Sequence, residues 1–266
     1  MPLRVTFFTN ATSDLSLPVL RAFHAAADVE VAHVFMFDTI AASKGRLFSV
    51  MREHGAKKTI AKVLHLGFKK LSGYLKSPAT DAEPKTSLDY SKHAGISHSV
   101  VRSVNSAAVV EHAMNLQADV LVCCSFSQIM RAGILATAKS AAINIHPSLL
   151  PRYRGPLPSF WALNYGEEFS GVSFHLMQRG IDTGDIVKQF SLPIESGWDE
   201  DELNRQLFAL AAENAVDVLQ GFAEGRYQPY PQNESESSYY SFPTPSERRA
   251  ARSRAAKNHA AKRRDC

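Results

Sequence analysis

Cysteine is scarce in this chain: three occur in 266 residues, Cys123, Cys124 and Cys266. The first two are neighbours on an apolar run that reads as a strand. Adjacent strand residues face opposite sides of a sheet, which disfavours a bridge between them. Both read as small core residues. No apolar run reaches the roughly 20 residues of a membrane span. Residues 1–25 lack the basic start, apolar block and small-residue cleavage site of a signal peptide. These absences together point to a cytoplasmic protein. There is no internal repeat. What is present is ample apolar material, 45% of residues, enough for one large domain or a domain with appendages.

The net charge of +4 is unevenly spread. Basic residues crowd into 44–76 and 248–264, whereas Glu195 to Glu202 is acidic. Within the first cluster Ile60, Val63, Leu64, Phe68, Leu71 and Leu75 fall on one helical stripe. The spacing predicts a basic amphipathic helix, suited to contact with an anionic surface, membrane or RNA. The blander alternative weighs more: a helix that packs its stripe on the core and leaves its lysines in water. Residues 78–92 turn polar and read as a loop.

Elsewhere strands and helices alternate. Leu3 to Thr9, Val29 to Phe37, a strand within Gly95 to Val104, Asp119 to Ser125, Ala142 to His146, Val172 to Met177 and Ile186 to Leu192 read as strands. Leu15 to Ala27, Ser106 to Leu116, Ala132 to Lys139, Pro158 to Tyr165 and Glu202 to Phe222 read as helices. The alternation argues an α/β fold with an open, mainly parallel twisted sheet flanked by helices. The expected division is a catalytic domain over 1–226, with a basic helical insert at about 40–92, and a partly disordered extension over 227–266.

In sheets of this kind the site lies at the carboxyl ends of strands. The run Ile143-Asn144-Ile145-His146-Pro147-Ser148-Leu149-Leu150-Pro151 is a strand ending in polar residues. Asn144 and His146 are two apart and share a face. One supplies an amide donor and the other a group that exchanges a proton near neutral pH. Asp182, in Ile181-Asp182-Thr183-Gly184-Asp185, is the candidate carboxylate beside them. From the residues alone this is a polar strand-end site suited to acyl or formyl chemistry. A metal reading of His146, His175 and Asp182 is the weaker rival, because it leaves Asn144 without a role.

These residues, Asn-x-His-x-Ser-Leu-Leu-Pro over 144–151 and Asp-x-Gly at 182–184, resemble the signature of the 10-formyltetrahydrofolate-dependent formyltransferases. That family includes the glycinamide ribonucleotide, methionyl-tRNA and amino-sugar enzymes. The likeness extends from about Ala118 to Pro193 and implies a Rossmann-like fold. It also implies that an amine attacks the donor's formyl carbon, that Asn144 and protonated His146 stabilise the resulting oxyanion, and that Asp182 assists proton transfer. No metal is required.

The resemblance further implies folate contacts from Phe126, Ser127, Gln128, Ile129 and Met130 and from Gly180 and Ile181, largely through backbone groups. Ser148, Arg152, Tyr153 and Arg154 would meet an anionic acceptor. His175 has equal claims as a site residue and as a core histidine. The run Thr9-Asn10-Ala11-Thr12-Ser13-Asp14 lacks the glycines of the purine-pathway enzyme's phosphate loop. About forty residues follow the family-like core, too few for the barrel of the tRNA enzyme. The small-molecule amine acceptor is thus expected to be an amino sugar, nucleotide-linked or phosphorylated. A methionyl-tRNA formyltransferase-like enzyme, a formyltetrahydrofolate hydrolase and a non-catalytic RNA- or membrane-binding relative are the alternatives.

Overall fold

The computed structural model describes residues 1–38 and 83–251. The basic segment 44–76, with its helical reading and its surface contact, lies outside the described residues, as does the basic stretch beyond 251. The elements are β1 Leu3–Asn10, α1 Leu17–Ala25, β2 Val29–Phe37, α2 Ser87–His93, β3 His98–Val101, α3 Ala107–Asn115, β4 Val120–Cys124, α4 Ala132–Leu135, β5 Ala141–His146, α5 Pro158–Tyr165, β6 Phe169–Leu176, β7 Ile186–Pro193 and α6 Glu200–Ala223.

The seven strands form one sheet in the order β3-β2-β1-β4-β5-β6-β7. The first five in that order run parallel, and β6 and β7 are antiparallel additions beyond β5. The central strands are buried on both faces, so they read as continuous apolar runs rather than alternating ones. Val5, Phe7, Val120, Val122 and Cys124 face the cluster that also holds α1 and α6 side chains. Phe8, Leu121 and Cys123 face the opposite cluster, where Val109, Ala113 and Ile134 of α3 and α4 pack. Cys123 and Cys124 therefore lie on opposite faces, each buried and free.

α6 starts cleanly because Asp199 accepts from the Glu202 amide at 2.8 Å, and three acids occupy its first turn. Leu203, Leu207, Ala211, Ala215 and Val218 then bury one face. The polar stretch read as a loop contains α2, a correction. Thr86 caps it by accepting from the Asp89 amide at 3.1 Å, and Leu88 and Tyr90 pack on the main core.

The segment after α6 is bound closely to the domain. Tyr230 bridges Ile186, Tyr239 bridges Arg154, and Trp161 donates to the Ser241 carbonyl at 3.1 Å. Residues 230–241 thus pack against the start of β7, the segment around Arg154, and α5. No helix among the described residues is long and apolar enough to cross a membrane.

Candidate active site

β5 delivers Asn144 and His146 at its carboxyl end, beside the end of β4 in parallel register. β6 runs antiparallel to β5 with His175 directly opposite Asn144. Directly opposed residues on one face of a sheet are in side-chain reach, and Asn144 Nδ2 lies 3.0 Å from His175 Nε2. The chain then leaves β6 through the loop 177–185, which carries Asp182 back over the two strands. Asp182 adopts a φ of 54°, in the left-handed region that costs most residues energy but that Asp tolerates better than bulkier ones.

The hydrogen bonds fix the protonation pattern. His146 Nε2 donates to the Tyr153 carbonyl at 2.9 Å, because a carbonyl can only accept. His146 Nδ1 then turns toward Asp182 Oδ2 at 3.6 Å. His175 Nδ1 donates to the Leu176 carbonyl at 3.0 Å, leaving Nε2 to accept from Asn144. Asn144 also reaches Asp182 Oδ1 at 3.4 Å, a long contact. The Gly155 amide donates to Asp182 Oδ2 at 2.9 Å.

Burial alone would raise the Asp182 pKa. The His146 charge, the His175 contact and the Gly155 amide outweigh burial and hold Asp182 well below the usual carboxylate range. Burial lowers the His146 pKa, and Asp182 only partly opposes it. Burial thus favours the neutral form of His146, while the partners of Asp182 favour its ionised form. The carboxylate raises the imidazole pKa, but loss of solvent has the larger effect. The Gly155 amide adds a neutral hydrogen bond to the anion.

Asn144, His146, His175 and Asp182 are thus brought together. No cluster of metal-ligating side chains in holding geometry occurs among the described residues.

The loop 126–130 lies at the same carboxyl edge. Ser127, Gln128 and Ile129 join Ser103, Asn105 and Arg131 around an open cavity of about 520 Å³, within the usual range of small-ligand sites. Phe126 packs edge-on against Phe8 and Phe37, and Met130 is buried in the core. Their side chains pack within the fold, so any ligand contact from these two positions falls to their backbone groups. The Gln128 amide is spent on the Val104 amide and the Arg102 carbonyl. Ile181 and Ile129 are exposed. Gly180 has a φ of 123°, and a Cβ there would meet Thr183 Oγ1 at 2.3 Å, so only glycine suits the turn before Asp182.

The expected acceptor residues fare differently. Ser148 is buried and donates to the Arg152 carbonyl. Arg154 is also buried, and its guanidinium is consumed by Gln232 and Glu234. Tyr153 stacks on Tyr240 and gives its hydroxyl to Glu167. These three hold the site together rather than face an anion, a correction. Arg152 keeps an exposed guanidinium, paired with Glu167. Sequence reasoning missed the Gly155 amide as a partner for Asp182, and Gln232 entirely.

A family model described as Formyl transferase matches residues 72–219, more than half of the chain. The chain belongs to the formyl transferase family. Over 136 residues it is 38% identical to a methionyl-tRNA formyltransferase of Pelobacter propionicus, covering 51% of this chain and 43% of that protein. Over 124 residues it is 42% identical to the corresponding protein of Synechococcus sp. (strain JA-3-3Ab), covering 47% and 38%. The aligned region spans less than half the length of either relative.

Among solved structures, glycinamide ribonucleotide transformylase 1 from Symbiobacterium toebii superposes with a TM-score of 0.61 at 18% identity, over 87% of this chain and 95% of that one. An N-formyltransferase from Helicobacter canadensis, in complex with folinic acid and dTDP-3-aminofucose, superposes at 0.60 with 20% identity, over 91% and 71%. Both likenesses are of the fold.

Proposed function

We propose that this formyl transferase moves a formyl group from 10-formyltetrahydrofolate to a primary amine, with the catalytic domain spanning 1–226. The observation that supports this best is the convergence of Asn144, His146 and Asp182 at the carboxyl end of β5. Asn144 supplies an amide donor for the oxygen of a tetrahedral intermediate. Its long contact to Asp182 is the one that such an oxygen would replace. A preorganised donor of this kind is worth roughly 3 kcal/mol in acyl transfer.

Neutral His146 takes the proton of the attacking amine at Nδ1. The imidazolium that forms lies beside Asp182, which stabilises it without itself giving up charge. The open cavity at the loop 126–130, together with Gly180 and Ile181, accommodates the folate donor through backbone groups, and Arg152 contributes an exposed cation toward the acceptor.

For the acceptor we favour an amino sugar, nucleotide-linked or phosphorylated. The Helicobacter canadensis neighbour, with a sugar nucleotide in its structure, supports this choice. A second reading, methionyl-tRNA, draws on the sequence relatives. A pooled panel of amino-sugar nucleotides and charged initiator tRNA, incubated with the donor, tests both: formylated sugar supports the first, formylated tRNA the second. Donor turnover that needs no amine would instead mean hydrolysis.

A further inference from the structure

We infer that Gln232 is a positioning residue for the formyl-transfer site, its single side-chain amide locking the Asp182 loop to the Arg154–Gly155 loop. The inference rests on the formyl-transfer reading above. Gln232 lies beyond the family-matching residues 72–219, and nothing in the local sequence around it marks a role.

The geometry uses all four of its hydrogen-bonding positions. Nε2 donates to the Asp182 carbonyl at 2.8 Å and to the Gly184 carbonyl at 2.7 Å. Oε1 accepts from Arg154 Nε at 3.1 Å and from Nη2 at 2.8 Å. A primary amide has two donor hydrogens and two acceptor lone pairs, so this one is saturated. Glu234 holds the far side of the Arg154 guanidinium at 2.9 and 2.6 Å. The Arg154 backbone is pinned as well: its amide donates to the Ser238 carbonyl, and its carbonyl accepts from the Tyr240 amide.

The residues on either side of Arg154 touch the site directly. Tyr153 accepts from His146 through its carbonyl, and Gly155 donates to the Asp182 carboxylate. A closed ring results: Asp182 carboxylate, Gly155, Arg154, Gln232 and the Asp182 carbonyl. Asp182 sits at a φ of 54°. Such backbone angles are uncommon outside glycine, though Asp tolerates them, and the Gln232 bonds to the Asp182 and Gly184 carbonyls hold this one in place. The segment 230–241 is thereby a clasp that keeps carboxylate and imidazole in register.

Three variants test this in the full chain. Gln232→Ala removes the amide. Gln232→Glu keeps an acceptor for Arg154 but has no hydrogen for the two carbonyls. Gln228→Ala, four residues before Gln232 and with its amide bonded to the Gly225 carbonyl, is the control. Two readouts are taken. One is kcat per folate-binding site, with KM for 10-formyltetrahydrofolate. The other is protection of the Gly155 amide against hydrogen exchange, measured by NMR on the protein without substrate.

Both Gln232 variants are expected to lose about 10- to 100-fold in kcat, as displacement of a catalytic group by an ångström does. KM for the donor should stay within about threefold. Gly155 should lose protection while β4 amides keep theirs, and Gln228→Ala should match wild type. Wild-type kcat, or unchanged Gly155 protection, in either Gln232 variant overturns the inference. So does a loss of activity matched by lost protection in β4, which would mean general destabilisation. If wild type transfers no formyl group to any acceptor, the formyl-transfer reading has failed, and Gly155 protection still decides whether Gln232 is the clasp.

Discussion

His146 and Asp182 stand 3.6 Å apart, Nδ1 to Oδ2, with the opposite ring nitrogen of His146 tied to the Tyr153 carbonyl. The ring can therefore accept a proton at one atom only, the one facing the anion. Asp182 raises the His146 pKa against burial, which lowers it. Asp182→Asn keeps the shape and removes the charge. We expect the His146 titration, followed by NMR, to move to still lower pH, and kcat to fall about 10²–10⁴-fold. An unmoved titration would separate the two residues electrostatically.

Asn144→Ala removes the amide donor and leaves the strand. A loss of about 10²–10³ in kcat is expected, in line with removal of one oxyanion donor. Donor binding, measured by folate fluorescence titration, should change little. Equal losses in binding and in kcat would assign Asn144 to ground-state contacts.

Acid should destabilise the fold through His33. Burial first, and then its neighbours His112 and His98, push the His33 pKa from 6.5 down to about 4. Both ring nitrogens are bonded to serine hydroxyls, of Ser97 and Ser99. The unfolded chain takes up this proton near 6.5 and the folded chain only near 4. The contribution is thus fully present above about 6.5 and is lost as pH falls toward about 4. Discounted for solvent screening, it is on the order of 1 kcal/mol. Urea unfolding at pH 7.5, 5.5 and 4.5 should show a shallower decline for His33→Gln than for wild type. Parallel declines would exclude His33 as a source.

Two glycines should respond oppositely to alanine. A Cβ on Gly184 would lie 1.8 Å from the Leu176 carbonyl oxygen. Gly184→Ala must therefore move backbone in the Asp182 loop, at a cost of about 1–3 kcal/mol or more. Gly133 is helical, and its nearest neighbour would be Val110 Cγ2 at 4.0 Å. Gly133→Ala should be neutral or stabilising by up to about 1 kcal/mol. Thermal unfolding of the pair measures the contrast.

Much of this architecture was legible because period and composition agree with burial. β2 and α5 fall at the residues the pattern predicts, and β4 reads as a two-sided buried strand because it is one. The Asn144–His146 pair followed from strand alternation alone. What escaped was set by tertiary contact. α2 lies in a polar stretch whose one local signal is the Thr86–Asp89 cap; its stability comes from Leu88 and Tyr90 on the core. His175 enters the site through antiparallel register with β5, which no local pattern states. Arg154 looked like an anion receptor until its partners 78 and 80 residues away, Gln232 and Glu234, consumed it. The pKa of His146 depends on a balance between burial and charge that sequence cannot weigh.

The most direct test of the central claim follows the carbon itself. 10-Formyltetrahydrofolate labelled with ¹³C in the formyl group is incubated with the chain and the amine panel, wild type beside Asp182→Ala, and products are read by mass spectrometry. The account predicts a ¹³C-formylated amine, formed by wild type and lost in the variant. Labelled formate with no formylated amine, or equal product from both proteins, would contradict it.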